Sequence, residues 1–121
     1  MSPEKIAQQL VDLCREGKNF EVAESLYSPN VTSTEMFGDE TMPKQMTGLD
    51  AVRRKMQWWY DTHITHATTY SDPLVAGNHF AVRMTFDVTY KPTGQRMMFE
   101  EIGVYEVKDG KIISEQFFYS V

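Results

Sequence analysis

The sequence contains little cysteine, no excess of positive charge and no long apolar run. Cys14 is the one cysteine among 121 residues, so an internal disulfide is excluded and a reducing, cytoplasmic location is expected. A formal net charge of −5 argues against nucleic acid as a partner, since its binding requires a basic surface, and against anionic membranes. No apolar run approaches the roughly 20 residues that span a bilayer. Neither nucleic acid nor a membrane is therefore an expected partner.

Motifs for cofactor and metal binding are also missing. The sequence has no phosphate-binding glycine loop, nucleophile elbow or dinucleotide fingerprint, so no cofactor is expected. His63 and His66 are three residues apart, but they fall where a predicted helix gives way to a strand and tend to point to opposite sides. A metal site would need a third ligand, such as Glu35 or Glu100. We therefore expect no metal, and we predict that His63 lies at the mouth of a cavity.

The composition is typical of a folded globular chain. Hydrophobic residues make up 41% and charged residues 24% of the sequence, a balance that argues against a disordered chain. The length suits one core, since single domains are commonest at about 100–150 residues. We therefore expect one domain over residues 1–121.

Two periodicities divide the chain. Apolar residues recur about every 3.6 positions in three segments of the first half, which predicts amphipathic helices over 3–16, 19–27 and 49–61. The predicted strands cover 31–37, 64–76 with one interruption, 79–90, 95–107 and 111–119. Asp109-Gly110 is typical of a type I′ hairpin turn. Helices followed by a meander of strands predict an α+β fold with an antiparallel sheet.

The hairpins between the last three strands determine which residues share a face of the sheet. A two-residue turn at 109–110 pairs Lys108 with Lys111, and we assume that Tyr90 lies opposite Arg96. The face expected under the helices carries Val82, Met84, Phe86, Val88, Met98, Ile102, Val104, Ile113 and Phe117, with Glu100, Glu115 and Tyr119 among them. The outer face is mixed and polar, and we predict that it joins two copies of the chain in a homodimer. It includes Arg83, Glu101, Tyr105, Gln116 and Phe118.

Glu100 and Glu115 are the most informative residues of this arrangement. An unpaired carboxylate on an apolar face is costly, so it finds a partner, holds a proton through a raised pKa or lines a water-filled cavity. The second and third outcomes suit an acid–base site in an apolar pocket. In the alternative, either glutamate lies at the rim, is paired with Arg53 or Lys55, and has only a structural role.

Four segments also carry a family resemblance. They are 20–31, which leads from a helix into the first strand, the start of the third helix at 48–52, the turn within 75–82 and the hairpin at 107–112. In their order and spacing they resemble the SnoaL-like branch of the nuclear-transport-factor-2-like (NTF2-like) superfamily over nearly the whole chain. The resemblance implies a cone-shaped curved antiparallel sheet and three helices that enclose a pocket, often in a homodimer. Because the superfamily includes isomerases, cyclases, hydrolases and non-catalytic domains, it does not imply one reaction.

The leading hypothesis is a domain that binds a small apolar or carbonyl-containing molecule. Its predicted pocket residues are Glu35, Met56, Trp59, Tyr60, Met84, Phe86 and Phe117. If the chain is an enzyme, we expect cofactor-independent proton transfer, as in the isomerisation or cyclisation of a carbonyl compound. Glu100 or Glu115 would be the general base, and Tyr119 or His63 would stabilise the oxyanion. The alternative is a non-catalytic module for ligand binding or dimerisation.

Overall fold

The order of helices and strands confirms the predicted α+β class. The computed structural model describes residues 1–120. Its helices are α1 (Pro3–Arg15), α2 (Asn19–Leu26) and α3 (Leu49–Thr62). Its strands are β1 (Tyr27–Thr34), β2 (Gln45–Thr47), β3 (His63–Tyr70), β4 (Leu74–Ala76), β5 (His79–Tyr90), β6 (Gln95–Lys108) and β7 (Lys111–Phe118). Within the described range, no helix is long and apolar enough to cross a membrane.

Local sequence determines where α1 begins and ends. The Ser2 hydroxyl accepts a hydrogen bond from the Lys5 backbone N–H (3.3 Å), as an N-cap residue does. Gly17 follows the helix with a φ of +76°, a left-handed conformation that costs glycine little. Between these ends, Ile6 and Leu10 lie on the buried face that packs into the core. The N-cap residue, the glycine after the helix and the apolar spacing therefore all indicate the same bounds for α1.

The seven strands form one curved, open sheet beneath the helices. The strand order is β2-β1-β7-β6-β5-β3, and β4 also pairs with β5. The pairs are antiparallel except for β1 and β7, which run parallel, so the sheet is mixed. The core lies between the helices and the inner face of the sheet, and its fully buried residues include Val11, Val31, Val52, Phe80 and Ile112.

The β5–β6 register differs from the predicted one by one residue. Tyr90 pairs with Gln95 and not with Arg96. The turn between them has four residues, and the Gly94 N–H closes it on the Tyr90 carbonyl (2.8 Å). Gly94 has a φ of +73°, so the left-handed residue belongs to the turn and pairing starts directly after it. Glu101, and not Ile102 as the assumed register gives, consequently lies opposite Met84.

A β-bulge produces the same shift between β6 and β7. Lys108 pairs with Lys111 as predicted, but the register then changes between Glu106 and Val107. Glu115 therefore pairs with Tyr105, not with Val104. The extra residue is Ile113 of β7. Glu115 and Phe117 therefore keep their predicted inner face, Ile112 is buried in place of Ile113, and β6 turns its other side inward.

These two shifts reverse the predicted faces of β6. Glu101 and Tyr105 lie on the inner face, so their predicted placement in the outer surface is wrong. Glu100, Met98 and Ile102 lie on the outer face, so their predicted placement under the helices is wrong as well. A shift of one residue moves every side chain of a strand to the other face.

The packing of the Phe80 ring against the Tyr105 ring can be tested through the free energy of unfolding. Their centroids are 4.8 Å apart, and Phe80 is 1% exposed. We expect Phe80→Ala to lower the free energy of unfolding by about 3–5 kcal/mol, because it removes a buried ring and leaves a cavity. Urea denaturation measures this change. Leu74→Ala is the control, since Leu74 is 77% exposed and should change stability by about 0.5 kcal/mol or less. Equal losses in both variants would contradict this packing.

Candidate active site

Glu115 lies at the buried end of a polar network between α3 and the sheet. It is 5% exposed, and both of its oxygens accept hydrogen bonds. Tyr27 donates its hydroxyl proton to Oε1, and Ser33 donates to Oε2 (2.6 Å). Lys55 Nζ in turn donates to Ser33 Oγ (2.7 Å). Burial raises the pKa of Glu115, while Lys55 and the two hydroxyl groups oppose that rise.

Glu35 forms the outer end of the same network. Its Oε2 is ion-paired with Lys55 Nζ, and its Oε1 accepts a hydrogen bond from the Tyr119 hydroxyl (2.9 Å). Tyr119 Oη also accepts the Met36 backbone N–H (3.3 Å). The side chains of Lys55 and Glu35 are 19% and 22% exposed, so this end of the network is reached by solvent. Glu35 thus belongs to this network, in direct contact with Tyr119, and its place in a ligand pocket stays a prediction.

Glu101 is the inner carboxyl group that lacks a partner. It is half-buried, and among residues 1–120 no side chain forms a hydrogen bond or an ion pair with it. Burial, together with the negative charges of Glu35 and Glu115, raises its pKa to about 8, although Lys55 opposes the rise. We call Glu35, Glu101 and Glu115 the carboxyl cluster. Glu101 is the member that can exchange a proton near neutral pH.

A row of aromatic rings lies beside the carboxyl cluster. The Trp59 ring on α3 is 6.0 Å from both Phe86 and Phe99, and Phe99 is 5.2 Å from Tyr119. Phe37, in the loop after β1, extends the row at 6.0 Å from Tyr119. We call these five residues the aromatic row. Because the Phe37 ring is exposed and the other four are half-buried, the row offers apolar and π surface to a ligand.

The structure separates two other predicted residues from the cluster. The His63 ring stacks on Trp59 at 3.8 Å, and its Nδ1 lies 3.0 Å from the Trp59 carbonyl oxygen. Burial lowers the pKa of His63, so it is a neutral ring within an aromatic group. Tyr60 packs on Phe20 of α2 at 5.3 Å, so its predicted position in the pocket is wrong.

The remaining predicted residues divide between the core and the surface. Met84 is buried, and Met56 and Phe86 pack against the core. Phe117 lies below Lys55, with Nζ 5.2 Å from the ring centroid. Glu100 is exposed and is paired with Arg83 Nη2 at 2.7 Å, because the register of β6 turns it outward.

The predicted enclosed pocket remains a prediction. One surface depression, of about 470 Å³, lies where β2 meets α3, next to Gly48, Leu49 and Arg54. Another, of about 310 Å³, lies around Thr69, Ser71 and Arg83. Neither depression is lined by a member of the carboxyl cluster. The case for a ligand site therefore depends on the cluster and on the aromatic row.

Sequence reasoning missed three residues of the site, Tyr27, Ser33 and Glu101, and it considered Lys55 only as a structural partner of Glu100 or Glu115. Helix spacing contained a usable signal for Lys55, since it follows Val52 by three positions and precedes Trp59 by four. Alternation along β1 likewise puts Ser33 on the side of buried Val31. For Glu101 no such signal exists, because both faces of β6 are rich in apolar residues.

An α+β cone with carboxyl groups on the inner face of its sheet defines a class that includes both binding domains and enzymes. A sequence profile of the SnoaL-like domain matches residues 1–119. The chain belongs to the SnoaL-like domain family.

Solved structures agree with this assignment. A candidate SnoaL-like polyketide cyclase from Mesorhizobium loti is 38% identical, with a TM-score of 0.92 over 98% of this chain and 100% of its own. An NTF2-like protein from Burkholderia thailandensis is 18% identical, with a TM-score of 0.83 over 99% and 92%. A candidate isomerase from Bacillus subtilis is 18% identical, with a TM-score of 0.76 over 99% and 90%. The latter two show the fold alone. No curated protein matches the chain.

The raised pKa of Glu101 predicts a pH dependence of stability. Its pKa is about 8 in the folded chain against an ordinary value of 4.5, so the folded state binds more protons between these values. The contribution of Glu101 to the free energy of unfolding therefore falls as the pH rises from about 4.5 to 8. Glu101→Gln removes this contribution, so we expect the variant to gain stability over the wild type as the pH rises through this window.

Urea denaturation at about pH 5, near the lower end of the window, and at about pH 9, above it, measures the difference. Glu100→Gln is the matched control, because Glu100 is the adjacent carboxyl group on the exposed face. We expect its pH dependence to follow the wild type. If both variants changed the dependence equally, the distinct environment of Glu101 would be refuted.

Proposed function

We propose that the chain binds a small apolar or carbonyl-containing molecule against the aromatic row and moves a proton on it without a cofactor. Isomerisation or cyclisation of a carbonyl compound is the reaction class. The carrying observation is Glu101, an inner carboxyl group without a partner in the described chain, next to two carboxyl groups that have partners. Environments that push the pKa values of neighbouring acids apart are a common basis of acid–base catalysis.

Glu101 takes the role of general base that the sequence analysis considered for Glu100 and Glu115. Glu115 is bound at both oxygens, so taking a proton would cost it a hydrogen bond. A base with a pKa near the operating pH combines a useful ionised fraction with a strong driving force for proton abstraction. Tyr119 is preferred to His63 as a polar contact for the ligand, because His63 is stacked on Trp59.

The relatives support this reaction class. The Mesorhizobium protein, 38% identical, is a candidate polyketide cyclase, and polyketides carry carbonyl groups with acidic α-protons. Cyclisation of such a chain begins with loss of an α-proton. This is the step that a partner-free carboxylate beside an apolar surface would perform.

The test is α-proton exchange in an enolisable ketone. We expect the wild-type chain to speed hydrogen–deuterium exchange of 2-tetralone in D₂O, followed by proton NMR. Glu101→Gln should lower the rate by about 10²–10⁴-fold, because the base is lost while the shape is kept. Glu100→Gln should stay within about twofold of the wild type, because it lies on the other face. An exchange rate in Glu101→Gln that equals the wild-type rate would reject the mechanism.

The alternative is a non-catalytic module for binding or dimerisation, and the outer sheet face favours it. Met98, Ile102 and Phe118 of β6 and β7 are 70%, 47% and 42% exposed there. Ile102 pairs directly with Phe118, so these two side chains form an apolar patch in the middle of the sheet, and Met98 lies on the same face beyond the Glu100–Arg83 ion pair. Exposed apolar patches commonly mark interfaces. We propose that this patch joins two copies of the chain, whether or not the inner site is catalytic.

A charge in the patch tests the homodimer. We expect the wild type to sediment at twice the 14.0 kDa chain mass and Ile102→Lys to sediment as the single chain, because an ammonium group would be buried without a partner. Phe20→Lys is the control, since Phe20 is an exposed aromatic residue on α2. A wild-type chain that sediments alone at micromolar concentration would exclude this dimer.

A further inference from the structure

Lys55 is the one cation that the described structure brings to the carboxyl cluster. It follows Val52 by about one helical turn of α3, and its Nζ lies over the Phe117 ring. An ammonium group has three N–H donors. Within residues 1–120, Lys55 has two acceptors, Glu35 Oε2 and Ser33 Oγ. One donor is therefore left for a ligand.

The side chains of Lys55 and Glu101 lie in the same region of the inner face. Lys55 Nζ lies 5.2 Å from the centroid of the Phe117 ring, and Phe117 pairs with Gly103, two residues from Glu101 on the inner face of β6. Within residues 1–120 no hydrogen bond or ion pair joins Lys55 to Glu101, so a cation with a spare donor and a carboxyl group without a partner lie in the same region without pairing. An ion pair between Lys55 and Glu101 would have left neither group available to a substrate, as is the case for Arg83 and Glu100 on the outer face.

We propose that Lys55 is a further catalytic residue, whose ammonium group holds the substrate's carbonyl oxygen while Glu101 removes the α-proton. This inference rests on the proposed function and adds the position of the carbonyl group. As Glu101 takes the proton, the electrons of the C–H bond form a carbon–carbon double bond. The π electrons of the carbonyl group move to its oxygen, next to Lys55. Where the substrate has a β,γ carbon–carbon double bond, the electrons on oxygen re-form the carbonyl group as the proton returns from Glu101 to the γ-carbon. This completes an isomerisation and leaves the chain unchanged.

The surroundings of Lys55 suit this role. Charge that develops on oxygen is best stabilised by a group that is already in place and shielded from water. Glu35 and Ser33 hold the ammonium group, and the Phe117 ring covers one side of it. Lys55 needs no rearrangement to meet the oxygen.

The test uses 2-naphthol, a planar analogue of the enol of 2-tetralone, bound to Glu101→Gln. This variant imitates the site after Glu101 has taken the proton. The fluorescence of naphthol and naphtholate differs, so a pH titration reports the pKa of the bound hydroxyl group. We expect Lys55→Met in this background to raise that pKa by about one unit, a tenfold change in ionisation. Arg54→Met, which removes an exposed charge from the same helix, should leave it unchanged.

Two further variants separate catalysis from structure. Glu35→Gln frees Lys55 of its counter-charge, so it should lower the pKa of bound naphthol, an effect that loss of folding would not produce. The double variant Lys55→Met/Glu35→Gln removes both members of the ion pair, so neither charge is left unpaired and the chain should fold. We expect it to exchange 2-tetralone about as slowly as Lys55→Met alone, which is about 10²–10³-fold slower than the wild type.

The outcomes distinguish this inference from the proposed function. If Glu101→Gln is slow but Lys55→Met exchanges at the wild-type rate, the role of Lys55 is overturned and the base stands. The role is also overturned if naphthol fails to bind Glu101→Gln, or ionises at the same pH with and without Lys55. If the wild type does not exchange any 2-tetralone while the naphthol pKa responds to Lys55, the proposed reaction fails and the anion subsite stands.

Discussion

Strand β6 has apolar and acidic residues on both sides, so its pairing with β5 and β7 decides which chemistry the inner face presents. The four-residue turn that ends at Gly94 and the bulge after Glu106 set this pairing. Each moves the register by one residue, and together they place Glu101 inside and Glu100 outside. Because side chains alternate between faces, no intermediate arrangement exists. The position of the site thus depends on backbone geometry at two points distant from it.

Once three carboxyl groups share the inner face, their charges must be compensated. The network does this unequally: Glu115 receives two hydroxyl donors, Glu35 receives an ammonium group and a hydroxyl donor, and Glu101 receives none. A buried carboxyl group without donors holds its proton more tightly. Glu101 is therefore the member whose pKa burial and the neighbouring charges raise to about 8. Lys55 links the two compensated groups through Ser33.

Membership of the SnoaL-like family accounts for the architecture but not for a reaction, since one fold accommodates many sites. What distinguishes this chain is the combination of its carboxyl cluster with the aromatic row. The role that we propose for the outer face, with Ile102 and Phe118, differs from that of the inner face, although both belong to the same strands. The proposed binding chemistry and the proposed self-association thus lie on opposite sides of one sheet, so a mutation can address one without the other.

The sequence by itself determined the three helices, the later strands and the fold class, but not β2 or the parallel pairing of β1 with β7. The apolar spacing of Ile6 and Leu10, the Ser2 cap and the Asp109-Gly110 turn are local features, and local physics is enough to read them. The sequence also placed Glu115 on the same face as Phe117, because side chains two residues apart on a strand share a face. Tertiary structure decided which residues come together in the site. Either face of β6 is apolar enough to lie against a core, so only the pairing of β6 with its neighbours placed Glu101 on the inner face. Only the packing of α3 against β1 and β7 brought Lys55 to the carboxyl cluster.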